Sequence, residues 1–253
     1  MRILFSEKSD WAADLHESFH GSGHDIAFGP LTAAAVRRAD LVVPLTIQAM
    51  LAMGDRPDLV SDNPIPIPAR AITELCDDKA RLNRVWAEKG FADWIPAMGV
   101  RDRYPYILKR SHDIWGRHSH IVRSADDQHR YAKELADPAF FTQELVLGTQ
   151  EYTTHMIRAK GQTPAVLTLQ MTFASEAFVK GPEKPVARAV VDSVHLPLFN
   201  RMLDAIGFEG LCCFNFKERD GRPMVFELNP RMGGTLCKQF ASFVATLGEQ
   251  RKC

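Results

Sequence analysis

The stretch that most constrains this chain is 212–235, CCFNFKERDGRPMVFELNPRMGGT. Asp220-Gly221 between two alternating apolar runs predicts a β-hairpin, because a two-residue turn of this kind needs positive φ at both central positions. Side chains two apart on a strand point the same way. Glu227 and Asn229 are therefore expected on one face, and Phe226 and Leu228 on the other. On the first strand Cys213, Asn215 and Lys217 alternate with Phe214 and Phe216, which puts Asn215 opposite the acid. A carboxylate and two amides projecting together form a hard oxygen donor set suited to Mg²⁺, with Mn²⁺ as a substitute. Pro230 ends the ladder, and Arg231 follows as a planar fork for a phosphate or carboxylate. The plainer alternative is an ordinary hairpin with an exposed Glu and Asn.

The rest of the chain reads as layered α/β. Residues 2–6 are a short buried strand, Trp11, Leu15 and Phe19 recur at helical spacing, and 24–28 is a second strand. Thr32 caps an alanine-rich helix to Ala39, and 41–45 is a third strand. Strands and helices in alternation imply a small parallel layer. No G-x-G-x-x-G dinucleotide fingerprint follows its first strand. Three prolines within residues 62–68 form a stiff connector. Asp77-Asp78-Lys79 opens a helix running to about Lys89, ended by Gly90. A strand over 104–110 carries Lys109 near its end, and a buried lysine there needs an anionic partner. Further expectations are a helix over 126–135 with Asp126 near its N-cap, a strand over 140–146, and a strand pair around Lys160-Gly161. A helix over 190–206 carries Val190, Val194, Leu198 and Met202 around Pro197, and another closes the chain over 238–247.

Lys plus Arg equals Asp plus Glu at 31 each, so no overall basic field recruits nucleic acid or an anionic membrane. No apolar run approaches the roughly 20 residues of a membrane helix, and the first residues are too briefly apolar for a signal peptide. Five cysteines without C-x-x-C spacing read as reduced thiols. These features together predict a soluble cytoplasmic protein with no nucleic-acid or membrane partner; a homodimer is compatible with them.

Glu227-Leu228-Asn229-Pro230-Arg231 after a strand and turn resembles the metal-binding hairpin of the ATP-grasp superfamily, of the carboxylate–amine ligase type seen in carbamoyl-phosphate synthase and biotin carboxylase. The resemblance covers roughly residues 77–235, and its other anchors follow in order. It implies that Lys79 and Lys109 reach the nucleotide phosphates, and that Glu144, Leu145 and Val146 form a hinge whose backbone reads the adenine edge. Glu151, seven residues after Glu144, would hold the ribose. Lys180 and Arg188 are candidates for the γ-phosphate or the carboxylate substrate, and Arg231 for the transferring phosphoryl group. Glu227, Asn229 and Asn215 would be the metal ligands.

The sequence departs from the family in two places. The loop over 111–120 has Gly116 as its single glycine where glycines and serines usually fold over the phosphates, and it carries Trp115, Arg117 and three histidines. Asn215 stands where many relatives have a carboxylate, which weakens the case for a second metal ion.

The resemblance implies an ATP-grasp α/β (α+β) fold: an abbreviated N-terminal α/β domain over 1–76, a linker helix and lid over 77–142, and a C-terminal antiparallel-sheet subdomain over 143–253. It further implies an ADP-forming ligase that joins a carboxylate, such as an amino acid or small peptide, to an amine through an acyl phosphate, using ATP and Mg²⁺. The alternatives are an ATP-grasp small-molecule kinase and a catalytically weak ATP-binding subunit or sensor. The acceptor pocket is expected near Ser6 and Glu7, residues 180–188 and residues 232–235.

Overall fold

The computed structural model describes residues 1–113 and 116–249. The chain opens with a three-stranded parallel sheet of order β2-β1-β3: β1 (Arg2–Phe5), β2 (Asp25–Phe28) and β3 (Leu41–Val43). Its helices are α1 (Ser9–Phe19), α2 (Ala33–Val36), α3 (Ile47–Gly54) and α4 (Pro57–Val60). Thr32 caps α2 by accepting from the Ala35 N–H, as its sequence position predicts, but α2 stops at Val36. Thr46 caps α3 in the same way through the Ala49 N–H.

Two helices then meet at one residue, α5 (Arg70–Asp77) and α6 (Lys79–Trp86). Asp78 is extended between them, and its carboxylate accepts from the Arg81 N–H, capping α6. Lys79 is thereby fixed in the first turn, and its own N–H donates to the Ser111 carbonyl.

A small antiparallel sheet of order β5-β4-β6 follows: β4 (Tyr106–Arg110), β5 (Ser119–Val122) and β6 (Phe140–Glu144). The helical stretch predicted over 126–135 is two short helices, α7 (Ala125–Arg130) and α8 (Ala132–Ala136), broken at Tyr131. Its N-cap is Ser124 rather than Asp126: the Ser124 hydroxyl accepts from the Asp127 N–H.

The large sheet has order β11-β10-β7-β8-β9, all antiparallel: β7 (Gln150–Ala159), β8 (Gln162–Thr172), β9 (Ala187–Val191), β10 (Gly210–Arg219) and β11 (Arg222–Asn229). The helix expected over 190–206 begins only at Leu196, as α9 (Leu196–Ile206). Pro197 sits in its first turn, where the missing N–H costs nothing. Val190 lies instead on edge strand β9, and Val190 and Val194 are both exposed. A 3-10 turn (Gly234–Gln239) and α10 (Phe240–Glu249) close the described chain.

Alternation divides the large sheet into two faces. Met156, Cys212, Phe214, Phe216 and Leu228 join α6 and α9 in one apolar core. Phe214 lies between Trp86 and Phe199, with ring centroids 6.1 and 4.5 Å away. Burying one such aromatic stabilises by about 1.5–3 kcal/mol. A second core packs Phe5, Trp11, Phe19 and Phe240 against Ile157 and Leu211, joining the first layer to the end of the large sheet. Among the described residues, no helix is long and apolar enough to cross a membrane.

Candidate active site

The opposite face of the large sheet is polar. Glu151, Thr153 and His155 of β7, Cys213, Asn215 and Lys217 of β10, and Glu227 and Asn229 of β11 lie in register, with Asn215 paired to Glu227 and to Thr153. The hairpin turn is as predicted, with φ of 52° at Asp220 and 71° at Gly221. Strict alternation fails at one point. The register shifts so that Phe216 pairs with Val225, leaving Phe226 as the extra residue of a β-bulge. Phe226 therefore joins Glu227 on the cleft side, while Val225 and Leu228 enter the core.

This face and the small sheet enclose a cleft of about 590 Å³, within the range of small-molecule sites. The residues singled out from sequence line it together: Lys79, Lys109, Glu144, Leu145, Val146, Glu151, Lys180, Arg188, Asn215, Glu227, Asn229 and Arg231. Eight cationic side chains and five carboxylates face the cleft among the described residues, an excess that favours an anionic ligand.

Glu227 is the focus of that charge. Lys79 Nζ lies 3.7 Å from its carboxylate. Burial pushes the Glu227 carboxyl up, but Lys79, Lys109, Lys180 and Arg231 outweigh it and hold the group below the usual carboxylate range. Lys109 is buried, and burial lowers its pKa to about 8, against the pull of Glu227. Lys79 Nζ also donates to the Asp113 carbonyl at 2.8 Å, tying α6 to the loop after β4. Gly116 of that loop has φ of +63°, and a Cβ there would lie 2.9 Å from the Val179 side chain, so the loop rests against residues 179–180. Burial also lowers the Arg231 pKa; its Nε is buried without a partner, a donor available to a ligand.

Lys180 Nζ is surrounded by oxygens. It lies 2.8 Å from Glu151 Oε1 and donates to Thr153 Oγ1 and Asn215 Oδ1, each at 3.0 Å. Thr153 donates to the same Asn215 oxygen at 3.0 Å. Arg188 reaches the cleft rim from the exposed edge strand β9.

Glu227 and Asn229 both line the cleft and could supply the one or two protein oxygens that a Mg²⁺ takes when phosphates and water complete its shell. Asn215 differs, because its amide oxygen already accepts from two donors. Among the described residues no three His, Cys, Asp or Glu side chains are grouped as a metal site.

At the other end, Leu145 and Val146 are buried and line the cleft. The Glu144 N–H donates to the Ala97 carbonyl at 2.8 Å, and its carboxylate pairs with Arg219 at 2.9 Å.

Several cleft residues escaped the sequence reading. Gln143 is buried beside Lys109 and accepts from its Nζ at 3.1 Å. The only cue for it was an amide within an apolar strand. Lys217 donates to the Gly148 and Glu176 carbonyls and sits 3.8 Å from the Phe178 ring, with burial lowering its pKa to about 8. His155 is fully buried beneath the Gly233-Gly234 turn, bonded to Thr235 at 2.9 Å, and burial lowers its pKa to about 3, keeping it neutral. Near the N-terminus the cleft wall is Trp11, with the Arg231 guanidinium 5.5 Å from its ring. Ser6 is buried instead, accepting from the Leu45 N–H.

No family model matches the sequence, and no curated protein matches it. Solved structures do match in three dimensions. Phosphoribosylamine–glycine ligase from Thermotoga maritima superposes with a TM-score of 0.67 at 14% identity, covering 94% of this chain and 71% of that one. L-amino acid ligase from Bacillus licheniformis gives 0.65 at 14% identity, covering 94% and 69%. D-alanine–D-alanine ligase from Bacillus anthracis gives 0.60 at 13% identity, covering 100% and 99%. At these identities the likeness is one of fold: the chain has the mixed α/β, ATP-grasp-like architecture shared by these structures.

Proposed function

We propose that this protein is an ATP-dependent ligase that joins a carboxylate, an amino acid or small peptide, to an amine and releases ADP and phosphate. The observation that carries the proposal is that Lys79, Lys109, Lys180 and Arg231 line one cleft with Glu227, Lys79 at 3.7 Å from its carboxylate and the others acting on it through their charge. Such an array suits a triphosphate, whose charge must be neutralised before an anionic carboxylate can approach its γ-phosphorus.

In this scheme Lys79 and Lys109 bind the phosphates, the Glu144–Val146 hinge reads the adenine edge by backbone, and Glu151 accepts from the ribose through the carboxylate oxygen not paired with Lys180. Glu227 and Asn229 would hold Mg²⁺, which when bound supplies further charge neutralisation. A substrate carboxylate oxygen attacks the γ-phosphorus and ADP leaves, while Arg231 and Arg188 steady the transferring group. The amine nitrogen then attacks the acyl carbon, phosphate departs and the surplus amine proton is released. The loop at Gly116, resting on residues 179–180, keeps water from the acyl phosphate.

The test is ADP release with a panel of amino acids supplied singly and in pairs, followed by product mass. A ligase needs both substrates; full turnover with a hydroxylic acceptor alone would indicate a kinase instead. A second reading, a nucleotide-binding subunit with little turnover, is favoured by the doubly bonded Asn215 oxygen. Tight ATP binding without hydrolysis across the whole panel would select it.

A further inference from the structure

The oxygens around Lys180 make a site of their own. Glu151 Oε1, Thr153 Oγ1 and Asn215 Oδ1 come from neighbouring strands β7 and β10, with Thr153 and Asn215 directly paired. They lie 2.8, 3.0 and 3.0 Å from one ammonium nitrogen. An ammonium has three donors and meets three acceptors here, so it is fully satisfied. Carboxylate, hydroxyl and amide oxygens are also the hard ligands that a divalent cation would take. Asn215 is paired with Glu227 across the hairpin, so this ring adjoins the carboxylate proposed for Mg²⁺.

Phosphoryl-transfer sites commonly place two divalent ions side by side to neutralise the transferring group. Here the ring contributes one negative charge, from Glu151, because Asn215 is neutral. That balances a monovalent cation. A divalent ion entering the ring would have to expel the ammonium and would lack the charge to hold it.

We propose that Lys180 is a tethered cation filling the place of a second divalent ion, so that the protein handles its nucleotide with one ion, on Glu227 and Asn229. This rests on the nucleotide site proposed above. The Lys180 backbone contributes to the arrangement: its carbonyl would lie 3.0 Å from a Cβ at Gly116, so the loop over the cleft abuts the residue supplying the charge.

The experiment counts ions directly. The full chain is saturated with a non-hydrolysable ATP analogue, and bound Mn²⁺ is measured by equilibrium dialysis and electron paramagnetic resonance. The expected result is one Mn²⁺ per bound nucleotide, with the sextet of a magnetically isolated ion. A Lys180→Met/Asn215→Asp double variant restores a carboxylate and removes the ammonium, so it should bind two ions with a spin-coupled spectrum. Two Mn²⁺ in the wild type would overturn the inference while leaving the nucleotide site intact. One ion in a folded, nucleotide-binding double variant would also overturn it. Failure of the wild type to bind the analogue would overturn the nucleotide site itself, and this inference with it. The wild-type count decides the matter even if the double variant does not fold.

Discussion

Lys109 Nζ donates to Gln143 Oε1 at 3.1 Å, so the buried ammonium is positioned by a neutral amide. Gln143 is itself fixed, since its Nε2 donates to Asn83 Oδ1 and to the Pro96 carbonyl. Asn83 in turn donates to the Lys79 carbonyl at 2.8 Å, which links Lys79 and Lys109 in one network. A neutral anchor orients Lys109 without cancelling its charge. We expect Gln143→Glu to supply a fixed counter-ion and to weaken ATP binding by about 10–100-fold, the worth of one charged hydrogen bond. Calorimetric titration with a non-hydrolysable analogue checks this; unchanged affinity would remove Gln143 from the site.

Lys109 and Lys217 have pKa values near 8, lowered from 10.5 by burial. Between about pH 8 and the unfolded lysine value of about 10.4, the unfolded chain binds more protons than the folded one, so their contribution to stability rises with pH. Below that window both states are protonated, and burying the charge counts fully against the fold. Lys109→Met should therefore be more stable than wild type at neutral pH, with the gap closing by pH 10 in urea titrations. Nucleotide affinity should run the opposite way and weaken as pH rises through 8, because the phosphates require the charged form. A gap independent of pH would argue against a perturbed Lys109.

Glu227 is the counter-charge for Lys79, 3.7 Å away, and lies in the field of Lys109, Lys180 and Arg231. Glu227→Ala should abolish turnover, by about 10³-fold or more, because the variant would lose the proposed Mg²⁺ ligand and with it charge neutralisation at the phosphates. Lys109→Ala should do the same. The variants separate in stability. Glu227→Ala leaves the cations unbalanced and should lower Tm, and pyrophosphate should recover more of that loss than it adds to wild type. Near-normal activity in either variant would refute the site assignment.

Much of this architecture is legible in the sequence where a local rule acts alone. Asp220-Gly221 sets the hairpin, Thr32 starts a helix, and the alternation of Cys213, Asn215 and Lys217 with Phe214 and Phe216 gives two true faces. The misreadings arise where two rules compete. Val190, Val194, Leu198 and Met202 keep a helical spacing, but Pro197 belongs to a first helical turn, and the residues before it run into an edge strand. Phe226 breaks the alternation because a bulge needs no signature of its own in the sequence. Helices α3 to α5 lie on either side of the proline-rich connector, whose composition masks their short periodicity. The ring around Lys180 joins a loop to two strands, and no local pattern encodes that meeting.

The connector also supplies a stability test that separates crowding from backbone strain. Gly210 begins β10 with φ of +131°, and a Cβ there would lie 2.7 Å from the Pro66 carbonyl oxygen and 2.9 Å from Pro68 Cδ. Both obstacles are stiff, since one is backbone and the other a proline ring, so neither can move aside cheaply. Gly221, in the hairpin turn, has φ of +71°, and a Cβ there would meet nothing within 4 Å, so a substitution carries only the torsional cost. Gly221→Ala should lose about 1–2 kcal/mol from the left-handed conformation alone. Gly210→Ala adds overpacking of about 1–3 kcal/mol to a comparable torsional cost, for a total of about 2–5 kcal/mol. Urea denaturation should show a larger fall in midpoint for Gly210→Ala, with an unchanged m value in both. Equal losses would mean that the prolines yield, and that the connector does not hold the first strand of the hairpin in place.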